Sequence, residues 1–207
     1  MDAPSEFEEA IRSSIELLKS RHVVFEDGLS DLEIYQCEQR FEIRFPPDLR
    51  AFLQTLLPVG IESDWGRDAF PNWRSNDEAR LLERLNWPFD GIAFDIENNS
   101  FWLDDWGPRP GGLQEALQVA RRHVEAAPKL IPVCSHRYLP SEPLIAGNPV
   151  FSVHQTDIIF YGCDLWDYFW NEFAPQDERW RRFKGISEIE IAAAFRPIRF
   201  WTTMAQQ

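Results

Sequence analysis

Apolar residues recur at helical spacing through the first third of the chain. Phe7, Ile11, Ile15 and Leu18 form one stripe behind the Ser5/Glu8 pair of a capping box, and they predict a first helix. Gly28 separates it from a second, where Ser30 and Glu33 repeat the capping signature ahead of Leu32, Tyr35 and Phe41. In FPPDLRAFLQTLLPVG, Pro46 and Pro47 open a third helix with Leu49, Phe52, Leu53 and Leu56 inside it, and Pro58 and Gly60 stop it. Residues 61–76 lose the period and are rich in Trp, Gly, Pro and Asn, which predicts an irregular segment. Ser75 with Glu78 then opens a short helix. Trp87-Pro88 ends it, because the residue before proline is pushed out of helical conformation.

Beyond Pro88 the period shortens to two. GIAFDIENNSFWLDDWG predicts a strand over 91–96, a turn at Asn98-Asn99 and a second strand over 100–103. Ile92, Phe94 and Ile96 fall on one face of the first strand, Asp95 and Glu97 on the other. A helix follows in GGLQEALQVARRHVEAAP, with Leu113, Leu117, Ala120 and Val124 on its apolar face and Arg121, Arg122 and His123 on its solvated one. KLIPVCSHRYLP predicts short strands interrupted by proline. GNPVFSVHQTDIIFYG predicts a hairpin, with strands over 150–154 and 157–161 around a turn at Gln155-Thr156. DLWDYFWNEFAP closes the body as a helix capped by Asp164.

This order of elements, without repeats or heptads, predicts an α+β fold: a central, mostly antiparallel sheet flanked by helices. Residues 1–175 form the expected domain. Residues 176–207 form a C-terminal extension expected to pack on it. The extension is mildly basic, with a balance of +2 against −15 for the body, and the whole chain carries −13.

That charge narrows the function classes. General binding to nucleic acid needs clustered Lys and Arg, so neither nucleic acid nor an anionic membrane is an expected partner. An acidic surface steers basic proteins toward itself. Nine Trp and sixteen Phe exclude a disordered chain. Three cysteines (Cys37, Cys134, Cys163), without CxxC or zinc-knuckle spacing, suit reduced thiols in the cytoplasm. Neither a leader sequence nor a membrane-spanning apolar run is expected.

Three constellations carry candidate chemistry. His154 and Asp157 flank the hairpin turn, where facing side chains touch and an imidazole–carboxylate pair could serve acid–base catalysis. The competing reading is a plain turn, in which Asp157 bonds its own backbone. Cys134 and His136, two apart on an expected strand, could join His154 and Asp157 around a metal, although HExxH and paired CxxC spacings are both missing. Neither constellation is assigned catalytic or metal residues, and no cofactor is expected. In the third, Asp64, Trp65 and Trp73 of one loop could join Asp95, Glu97, Asp104, Asp105 and Trp106 in a partner-binding surface. Aromatics anchor interfaces, and acidic neighbours steer the encounter. The competing readings are a solvated acidic face and loop indoles packed back on the core.

The order of motifs adds a resemblance. RFPPDLRAFLQTLLPVG, FPNWR, FDGIAFDIENNSFWLDDWGPRP, APKLIPVCSHRYLP and GNPVFSVHQTDIIFYG succeed one another as in the SUKH superfamily, which takes in yeast Smi/Knr-type cell-wall regulators and many bacterial immunity proteins. The resemblance covers residues 5–175. It implies an α+β fold without catalytic residues, and either an immunity protein that neutralises a toxin or an interaction scaffold. A small metal-dependent hydrolase is the alternative from another class. On this resemblance Pro46, Gly60, Gly91, Asp95, Glu97, Trp102, Gly147, Asn148, Pro149 and Gly162 are determinants of the fold.

Overall fold

Helices outnumber strands in the computed structural model, which describes residues 7–62, 69–175 and 195–207. The elements run α1 (Glu8–Ser20), β1 (Val23–Asp27), α2 (Asp31–Phe41), α3 (Pro47–Thr55), β2 (Leu56–Ile61), α4 (Glu78–Asn98), a 3-10 turn (Asp104–Trp106) and α5 (Leu113–Glu125). They continue with β3 (Leu130–Cys134), β4 (Arg137–Pro140), β5 (Val150–His154), β6 (Asp157–Gly162), α6 (Leu165–Phe173) and α7 (Trp201–Met204). β3-β4-β5-β6 form an antiparallel sheet in that order, and β1 pairs with β2 in a second, two-stranded one. The architecture is α+β, as the order of elements predicts. None of the described helices is long and apolar enough to cross a membrane.

The four-stranded sheet divides two cores. Ile131, Val133, Leu139 and Val150 point into a first core with side chains of α1, α2, α3 and α6. Leu130, Tyr138, Phe151, Val153 and Ile158 point into a second with α4, α5 and α7. Alternate residues of one strand therefore bury on opposite sides, and β3 and β4 have no exposed position. Ile198, Trp201 and Met204 complete the second core.

Local signals hold at several ends. Ser30 caps α2 as a full capping box with Glu33, and Asp164 caps α6 by accepting from the Asp167 N–H at 2.7 Å. Ser5 lies outside the described residues. α4 is capped by Asp77, while the Ser75 hydroxyl accepts from the Asp77 N–H instead. Gly162 meets α6 so closely that a Cβ would stand 2.6 Å from the Tyr168 amide nitrogen. Gly162→Ala should lower stability by about 2 kcal/mol through backbone displacement, measurable by urea unfolding.

Four expectations are corrected. On α2 the buried face is Ile34, Cys37 and Phe41, and Leu32 and Tyr35 face solvent. α3 ends at Thr55, before Pro58 and Gly60, but Leu56 is outside it and opens β2, in which Pro58 and Gly60 pair with Phe25 and Val24 of β1. Leu113 of α5 is exposed, and Ala116 and Ala120 are the residues that bury. The largest correction concerns residues 87–103. Residues 87–98 continue α4 in place of the expected helix end at Trp87-Pro88 and strand over 91–96, and residues 100–103 are not a strand. Pro88 leaves the Arg84 carbonyl without its helical donor, and the Tyr138 hydroxyl supplies one at 2.9 Å. Ile92, Asp95 and Ile96 then bury at helical spacing, and Phe94, the residue that made the period look like two, faces solvent.

Candidate functional site

The hairpin of β5 and β6 forms as the sequence predicts, with His154 opposite Asp157 and both exposed. The turn, however, is held from outside. Asp95 of α4 accepts from the Thr156 N–H at 2.9 Å and the Thr156 hydroxyl at 2.6 Å, and from the Asn99 side chain at 2.5 Å. Burial would raise the Asp95 pKa, but these hydrogen bonds outweigh it and hold the carboxyl below the ordinary aspartate value. Gly91 lets the turn approach, since a Cβ there would lie 2.7 Å from the Gln155 Cα.

The rest of the hairpin phrase is structural too. Gly147 takes a positive φ of 76° and donates its N–H to Asp48, a carboxylate shut away from solvent. Burial raises the Asp48 pKa against that bond and the one from the Leu49 N–H. Asn148, fully buried, donates to the carbonyls of Pro140 and Pro143 and accepts from Arg196. These residues hold backbone in place.

The proposed metal ligands are not brought together. Cys134 ends β3 inside the first core, where burial pushes its thiol up to about 12. His136 lies in the β3–β4 turn rather than on a strand, beside the Ser135 hydroxyl. Burial, and then Arg137, lower its pKa. Among the described residues no group of three or more His, Cys, Asp and Glu could hold a metal ion.

Of the expected partner surface, Asp64 and Trp65 lie outside the described residues. Trp73 is buried, edge-on to Phe41 and Phe45, and cannot serve as an exposed anchor. Asp95 is committed to the hairpin. Trp106 is also buried, stacked between His123 and Phe200, with Trp102 packed edge-on against it. Glu97, Asp104 and Asp105 remain exposed. The acids of the turn thus stand on an ordered aromatic support, and the Trp102 indole N–H is tied to the Gly107 carbonyl at 2.7 Å.

One feature escaped the sequence pattern. A cleft of about 570 Å3 opens where α2, α4, α5 and the segment before β3 meet. Leu82, Leu85, Phe89, Val124 and Leu130 supply apolar lining, and Arg40, Arg121 and Lys129 supply cations. Arg121 is not simply solvated: its guanidinium lies 4.0 Å from the centre of the Phe89 ring. The lining comes from separate stretches of chain, so no local motif announces it.

Compared with known proteins, the chain finds no match among family models, curated proteins or solved structures.

Proposed function

We propose that this chain is a non-enzymatic, cytoplasmic protein-binding module: an immunity protein of the SUKH type that binds a basic toxin domain and covers its substrate site. The observation that carries this reading is the exposure of the acids Glu97, Asp104 and Asp105 on a chain of charge −13. A toxin that acts on nucleic acid needs a basic surface around its active site, and an acidic inhibitor competes for that surface. The aromatic stack under Asp104 and Asp105 helps hold them in place before the partner arrives, which reduces the ordering cost of association. The order of the family-like motifs supports the same class.

Co-expression with the toxin encoded beside this gene tests the reading. The two products should co-purify, and the toxin should lose activity. Asp104→Lys combined with Asp105→Lys should slow association by about tenfold at low salt, with the difference shrinking as salt rises. A neighbouring toxin that is neither bound nor neutralised would remove the immunity role.

A further inference from the structure

We infer that the cleft between α2, α4 and α5 is a binding site for a flat aromatic monocarboxylate. Its volume, about 570 Å3, falls within the roughly 300–1,000 Å3 usual for small-molecule pockets. Its lining is mostly apolar and includes the aromatic ring of Phe89, which suits a ring rather than a sugar or a polyphosphate.

Charge complementarity selects the head group. Arg40, Arg121 and Lys129 line this cleft beside Glu42 and Glu125, three cations to two acids, in a chain whose overall charge is strongly negative. Each already holds a carboxylate: Arg40 pairs with Glu78, Lys129 with Glu42 at 3.5 Å and Arg121 with Glu125 at 3.9 Å. Those glutamates show which anion the cations accept. Glu42 and Glu125 have side chains 86% and 65% exposed, so their pairs are weak and a ligand carboxylate can displace them into water. Because these glutamates also cancel part of the positive charge, one carboxylate fits the site better than a multiply charged phosphate. Arg121 is the principal contact: stacking on Phe89 orients its planar fork in advance, and carboxylates are the groups such a fork binds with paired hydrogen bonds.

Calorimetric titration of the full chain with 2-naphthoate, and with 2-naphthylmethanol as the uncharged counterpart, tests the site without reference to any toxin. Naphthoate should bind saturably at one per chain, and the alcohol should bind about tenfold more weakly. Arg121→Gln should weaken naphthoate by about tenfold and leave the alcohol unchanged. Leu82→Trp, at a partly exposed position on the wall, should abolish both by filling the space. Thermal unfolding should show both variants folded. Absence of saturable binding, equal affinity for acid and alcohol, or binding undiminished in Leu82→Trp would each overturn the proposal.

Discussion

Replacement of Asp95 by alanine is expected to lower the unfolding free energy by about 3 kcal/mol, as read from urea denaturation. Asp95 is only 5% exposed, and its carboxylate is the partner of the Thr156 amide, the Thr156 hydroxyl and the Asn99 side chain. Alanine leaves those donors without their acceptor where α4 meets the hairpin. Asp95→Asn keeps the shape but sets an amide N–H2 against Thr156 or Asn99, so it should recover little of the loss. The pH dependence has a definite sign. A carboxyl held below its ordinary value in the folded state stabilises the protein above that value, and the contribution disappears as pH falls through the lowered one. Stability of the native chain should therefore fall more steeply below pH about 4 than that of Asp95→Ala. Parallel acid profiles for the two proteins would show that the carboxylate does not carry the contact.

Trp201→Ala should lower stability by about 4 kcal/mol. The indole is 2% exposed, donates to the Pro128 carbonyl at 2.7 Å and meets the Phe200 ring edge-on at 4.8 Å. Removing it opens a void beside Leu130 and leaves a carbonyl unpaired. Trp87→Ala is the matched comparison. Trp87 is 44% exposed, and its loss should shift stability by no more than about 0.5 kcal/mol. Similar effects for the two would mean that residues 198–204 do not complete the second core.

Much of this fold is legible where the cause is local. The Ser30–Glu33 box, the Asp164 cap and the hairpin over 150–162 each depend on residues within a few positions of one another. The course of α4 is not legible for the opposite reason: what makes Pro88 tolerable is the hydroxyl of Tyr138, fifty residues later. The sequence pattern of residues 91–96 fits both periods, since Ile92 and Ile96 are compatible with either. The exposure of Phe94 and the burial of Asp95 separate them. Of the expected binding surface, the acids at 97, 104 and 105 are exposed as their polarity suggests. Trp73 and Trp106 are buried, because indoles gain more from packing than from display when aromatic neighbours are at hand. The cleft was invisible because nothing in its composition is unusual until the chain folds.

Strands buried on both faces, as β3 and β4 are, also pose a problem of alignment. When one side of a strand is wet, sliding it by one residue throws its apolar set into water, and the hydrophobic effect itself forbids the slip. Here a slip would exchange residues between two dry compartments, so oiliness alone tells the registers apart poorly. Discrimination passes to the few contacts that admit only one alignment. Arg137 faces Ser152 across β4 and β5 and bonds its hydroxyl at 3.0 Å; Asp95 grips the single turn residue Thr156; Gly162 is the place where α6 can come close. These sparse polar and glycine positions act as a key cut into an otherwise interchangeable apolar wall.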